Sequence, residues 1–165
     1  MQEGEDNEAV SAMQQEWGHD HITCLPYTYP RKRFTITERL LFRVGRVVCK
    51  DRLINRPYHI DDWIDIEIVP GITRVADEFQ PTVVCVEYVF FSKYLELFSA
   101  DVWKVIDTHD VFSNRKKLFR QTELPQNCLW YWTTPREERK GLRRADCIMA
   151  IQDHEKRELK TISGG

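Results

Sequence analysis

The chain has no long hydrophobic run: its apolar stretches are roughly five to eight residues, against the ~20 that a membrane-spanning helix needs. Its first twenty residues hold six acids and no lysine or arginine, so the basic and apolar regions of a secretory signal are both missing, and a cytoplasmic location is expected. No CxxC and no Cys/His pair with metal-ligand spacing occurs among the five cysteines. Cys24, Cys85 and Cys147 fall in apolar strand-like runs, Cys49 falls on a predicted helix and Cys128 precedes Leu129-Trp130. Buried reduced thiols are therefore expected, rather than disulfides or zinc ligands. The absence of GxGxxG, GxxxxGK[ST] and GxSxG removes the usual signals for dinucleotides, P-loop nucleotides and the hydrolase elbow. A phosphatase-type aspartate pair needs one residue between its acids, and Asp107 and Asp110 are separated by two.

What is present is 165 residues, 42% of them hydrophobic, enough for one ordinary core and a single domain over 1–165. The net charge of −2 hides an uneven distribution. Residues 31–56 hold nine Lys/Arg against Glu38 and Asp51, and residues 57–101 hold nine acids against Arg74 and Lys93. The basic block could meet phosphates or anionic lipid headgroups, although a solvated helix face plus loop is the commoner meaning of such a run. It has little aromatic interleaving and the domain is not basic overall, so no nucleic-acid partner is expected.

Apolar spacing predicts a helix over 8–17 ending at Gly18, and a short strand over 21–25 closed by Pro26. It predicts a helix over 36–50 with Leu40, Leu41, Val44, Val47 and Val48 as one stripe and Arg39, Arg43 and Arg46 mostly off it. The Ile/acid alternation over 64–69 suits an edge strand or an extended loop. Beyond it come a helix over 72–79, an apolar strand over 82–86, a helix-compatible stretch over 89–98 and a second strand over 102–107. Thr134, Pro135 and Glu137 give the N-cap, first-turn proline and capping acid of a helix reaching about Arg144. A third strand over 147–151 and a helix from Asp153 complete the pattern. Alternating apolar strands and helices imply a parallel sheet covered on both faces, a Rossmann-like three-layer α/β sandwich.

In such sheets the ligand crevice lies outside the carboxyl ends of the strands. The residues leaving the three strands are Glu87-Tyr88, Thr108-His109-Asp110 and Gln152-Asp153, which would share one edge. Polar residues also end apolar strands simply because solvent requires it, and a capping role is the blander reading of His109. Its sharper reading is a group that hydrogen-bonds a hydroxyl or phosphate, or accepts a proton, with Asp107 better placed to face it than Asp110. His19-Asp20-His21 has the composition of a metal cluster but no third ligand nearby in sequence, so no metal is expected there. Trp130-Tyr131-Trp132 could stack on a sugar ring, but more commonly such residues cover a sheet flank.

The runs Val84-Cys85-Val86-Glu87-Tyr88-Val89-Phe90-Phe91-Ser92-Lys93, Lys104-Val105-Ile106-Asp107-Thr108-His109-Asp110-Val111-Phe112, Gly141-Leu142-Arg143-Arg144-Ala145-Asp146 and Ala150-Ile151-Gln152-Asp153 come in an order and spacing that resembles bacterial GT-B glycosyltransferases of the family 4-like group. The resemblance spans 8–160 in outline and 82–155 in detail, with Trp17-Gly18-His19-Asp20-His21-Ile22 similar to a common helix-to-strand junction. It implies an N-terminal, acceptor-side domain of an enzyme that transfers sugar from a nucleotide-sugar donor to a carbohydrate or lipid-linked acceptor, usually without a bound metal or other cofactor. It implies His109 and Asp110 as catalytic residues and Glu87, Tyr88, Asp107, Gln152 and Asp153 as substrate-binding ones. Arg115 is expected at the surface. The family's first strand, its Gly-rich turn and its C-terminal donor-binding Rossmann domain have no counterpart here. An incomplete sheet and an inert isolated chain are accordingly expected. Two other readings stay open: a Rossmann-like interaction module without turnover, and a hydrolase or epimerase pairing His109 with a carboxylate.

Overall fold

The computed structural model describes residues 3–28, 57–113, 115 and 131–164. The predicted helix over 36–50, the basic stretch 31–56, Cys49, Cys128 and Trp130 lie outside them. No helix among the described residues is long and apolar enough to cross a membrane.

The chain divides into two compact units, Met1–Thr28 with Asp65–Gln80, and Tyr29–Ile64 with Pro81–Gly165. In the first unit, helix α1 (Glu3–Trp17) stops at Gly18, whose φ of 96° lies in the region that favours glycine and whose N–H donates to the Gln14 carbonyl at 2.9 Å. The strand expected over 21–25 does not form. His19–His21 is a 3-10 turn, and the extended residues after it have no neighbouring strand to pair with among the described residues. The alternating segment 64–69 is neither of the two forms considered for it. The Asp65 carboxylate accepts the N–H groups of Glu67 at 3.0 Å and Thr28 at 2.8 Å, turning the chain into helix α2 (Val69–Phe79), which starts earlier than the apolar spacing indicates.

The second unit holds a parallel sheet of order β1-β2-β3: β1 (Val83–Glu87), β2 (Trp103–Asp107) and β3 (Cys147–Met149). The chain is thus α/β with a small open sheet. Register aligns Cys85 with Val105 and Cys147, and Val86 with Ile106 and Ile148. The Val86–Ile106–Ile148 face meets the core: Ile106 is fully buried, and Ile148 packs on a cluster of Ile60, Trp63, Val89, Phe90, Val111, Phe112, Leu142 and Leu159. The other face departs from expectation. Val83, Trp103 and Met149 are 51%, 53% and 50% exposed, and Cys85 is exposed, so these strands are not covered on both faces. Cys24 is exposed and Cys147 half-buried, which corrects the expectation of buried thiols for the three cysteines described. Their apolar neighbours in sequence belong to a one-sided sheet and, at Cys24, to an unpaired segment.

The stretch after β1, Val89–Leu97, is a long 3-10 helix and not an α-helix. It buries Val89, Phe90, Tyr94 and Leu95 and lies against helix α3 (Pro135–Leu142). The predicted cap of α3 is present, with the Thr134 hydroxyl accepting the Glu137 N–H at 3.3 Å and Pro135 in the first turn. The 3-10 turn Ile60–Trp63 and the 3-10 helix are tied to the C-terminal end of α3 by Arg144, which donates to Asp61 at 2.5 Å, Glu96 at 2.6 Å and the Ser92 hydroxyl at 3.2 Å. Lys140 adds a second bond to Asp61. Burial pushes the Asp61 carboxyl up, but its bonds to Lys140 and Arg144 outweigh this and hold it below the usual range. Helix α4 (Asp153–Ser163) closes the unit, with Leu159 in the core.

Gly141 is where α3 comes closest to the 3-10 helix. A Cβ there would lie 2.5 Å from Val89 Cγ2, 2.9 Å from Ser92 Oγ and 3.2 Å from the Val89 carbonyl oxygen. Gly141→Ala is therefore expected to lower stability by ~1–3 kcal/mol through overpacking, despite alanine's better helix propensity. Urea unfolding measures this: an unchanged or raised midpoint would show that the two helices separate freely.

A polar and aromatic edge at the strand ends

The three strands run parallel, so their carboxyl ends emerge on one edge, and each exit is tied to its neighbour. The Tyr88 N–H donates to the Asp107 carbonyl at 2.7 Å. Thr108, fully buried, donates both its N–H (3.1 Å) and its hydroxyl (2.8 Å) to the Met149 carbonyl. This buried side chain was not singled out in the sequence. Its only sequence signal is a small hydroxyl residue at a strand end.

Two residues on this edge have left-handed backbones that L side chains rarely adopt: Tyr88 at φ 62° and His109 at φ 53°. Such strain costs of order 1–3 kcal/mol per residue and persists only where surrounding structure enforces it. Here it brings the two rings together, with centroids 4.8 Å apart and planes inclined by 34°. The Phe112 ring meets Tyr88 edge-on at 5.8 Å and Phe90 at 4.7 Å, linking the pair to the core.

His109 Nε2 lies 3.7 Å from Asp107 Oδ2, too far for a direct hydrogen bond. The nitrogen is shielded and has no hydrogen-bond partner among the described residues, although about a third of the side chain (36%) remains exposed. Asp107, not Asp110, therefore faces the imidazole. Asp110 instead pairs with Arg115, which also donates to the Tyr131 carbonyl at 3.4 Å and lies over the Phe112 ring at 4.4 Å. Arg115 is thus not a free surface cation: its side chain is only 16% exposed. Glu87 is exposed on β1 and in register with Asp107. Gln152 and Asp153 are exposed at the start of α4, where the Gln152 side chain makes no cap bond. The third strand ends at Met149, so both follow it through a bend and do not leave its last residue directly. His19, Asp20 and His21 are all exposed on their turn, and the described residues contain no group of three or more metal-ligating side chains.

One further residue supports the edge from below. Glu138 on α3 is fully buried, and its carboxylate accepts the N–H of Phe112 at 2.8 Å and that of Ser113 at 3.0 Å. Burial pushes its carboxyl up from the usual range, against these bonds. In the sequence it is the second of two consecutive glutamates. Glu137 takes the capping position and accepts the Ile60 N–H at 3.1 Å, and nothing local marks Glu138 as the buried one.

No protein-family model, curated protein or solved structure matches the chain.

Proposed function

We propose that the chain is a sugar-handling α/β domain, and more specifically the acceptor-side half of a nucleotide-sugar-dependent glycosyltransferase of the GT-B kind. The observation that carries this reading is the strained Tyr88–His109 pair at the carboxyl edge of the parallel sheet, with a shielded imidazole nitrogen turned toward Asp107. An acceptor hydroxyl placed at that nitrogen would give up its proton, or be held in position, as its oxygen bonds to the anomeric carbon and the bond to the leaving diphosphate breaks. Tyr88 offers an aromatic surface, and Glu87, Asp107, Asp110, Gln152 and Asp153 supply acceptors for further hydroxyls. The donor nucleotide would be gripped by a second Rossmann domain supplied in addition to these residues, and the reaction would require no bound cofactor. The setting would be the cytoplasm, with the basic stretch 31–56 turned toward a membrane carrying a lipid-linked acceptor.

Saturation-transfer NMR on the purified chain tests this with two ligand panels, saccharides and nucleotide sugars. Saccharide contact without nucleotide-sugar contact is expected, together with no sugar transfer by the 165 residues alone. Transfer by the isolated chain, or binding of nucleotide sugars but of no saccharide, would overturn the reading.

A further inference from the structure

The turn that carries His109 is fastened at both ends. At its start, Thr108 is bonded twice to the Met149 carbonyl of β3, and the Asp110 N–H closes back onto the Thr108 carbonyl at 2.5 Å. At its end, the only side chain seen gripping the backbone of Phe112 and Ser113 is Glu138, which reaches in from α3. His109 lies between these two anchors, in a backbone conformation that would relax if either let go. The second anchor also acts through ring packing. Fixing the Phe112 backbone fixes its ring, which stands edge-on to Tyr88, and Tyr88 lies against His109.

We infer that Glu138 is a positioning residue for His109: its buried carboxylate holds the 108–113 turn in the left-handed form that presents the imidazole at the sheet edge. A carboxylate suits this task because two parallel N–H groups need two acceptor oxygens. A glutamine offers one, and its NH2 would oppose the second donor. A carboxyl serving only to fill the core would be replaced at little cost by a leucine, since desolvating an acid is unfavourable. The role in sugar transfer rests on the function proposed above, but the geometric claim does not.

The test compares Glu138→Gln with Leu159→Ala, a core truncation on α4 that touches neither the turn nor Glu138's bonds. Three readouts are taken on the full chain without any sugar: the His109 ring resonances, the amide exchange of Phe112 and Ser113 relative to Val105 and Ile106 of β2, and the melting temperature. Glu138→Gln is expected to move the His109 resonances and to speed Phe112 and Ser113 exchange at least tenfold relative to β2. Leu159→Ala is expected to lower the melting temperature while leaving the His109 resonances in place. Unmoved His109 resonances in Glu138→Gln, or equal movement in both variants, overturns the inference. If Glu138→Gln does not fold, the native chain decides: Phe112 and Ser113 amides exchanging as fast as exposed ones would refute the anchor, and protection like that of β2 supports it. Failure of saccharide binding with the expected His109 changes intact would discard the sugar reading and keep the positioning role.

Discussion

Trp63→Ala is expected to cost the second unit about 3–5 kcal/mol, the range for removing a large aromatic from a packed core. Trp63 is 4% exposed and is the hub of the aromatic cluster. Its ring lies 4.7 Å from Phe90, 4.9 Å from Tyr131, 5.5 Å from Tyr58 and 5.9 Å from Phe91, mostly in edge-on arrangements. These neighbours come from three separate stretches of chain, so the cavity cannot close by a local shift of one of them. Against a total stability of ~5–15 kcal/mol, the loss would bring a domain with one bare sheet face near its unfolding threshold. Denaturant unfolding followed by near-ultraviolet circular dichroism reports both the stability and the aromatic packing. A loss below ~1 kcal/mol would mean that the cluster is not the core of this unit.

Substituting His109 should separate stability from function. A glycine at φ 53° relieves strain of order 1–3 kcal/mol and gives back ~0.5–1 kcal/mol of chain entropy, so His109→Gly is expected to be neutral or to raise stability by up to ~1–2 kcal/mol. The imidazole has no hydrogen-bond partner at Nε2 whose loss would offset this. In an enzyme completed by a donor-binding half, the same change is expected to lower turnover by about 10²–10⁴, the usual contribution of a base placed on the attacking hydroxyl. Stability gained while activity is lost marks a residue held in place for function. A destabilised His109→Gly with full turnover would identify His109 as a capping residue, the blander role its position at a strand end also allows.

Much of the second unit was legible in the sequence. Solid β-branched runs mark β1 and β2, and Thr134, Pro135 and Glu137 announce the start of α3. The geometry of a parallel sheet then places Glu87, Tyr88 and His109 on one edge before any coordinates are consulted. Strand alternation likewise favours Asp107 over Asp110 as the imidazole's neighbour. What was not legible depends on partners. Residues 21–25 have the composition of a strand, but a strand exists only beside another, and none pairs with them among the described residues. Cys85 and Cys147 lie in apolar runs whose outward face is uncovered, and apolar composition alone does not say which faces are packed. The 3-10 form of Val89–Leu97 follows from the close approach at Gly141 and the Arg144 bonds, which are tertiary. Glu138 and Arg115 are polar residues whose burial depends on chain segments distant from each.

Histidine-selective NMR of the full chain during a saccharide titration bears most directly on the Tyr88–His109 edge as the binding site. Of the five histidines, His109 alone is expected to shift, with the change lost in Tyr88→Ala while the sheet amides keep their positions. Saturable saccharide binding that leaves His109 unmoved, or that moves His19 and His21 in its place, would contradict the account.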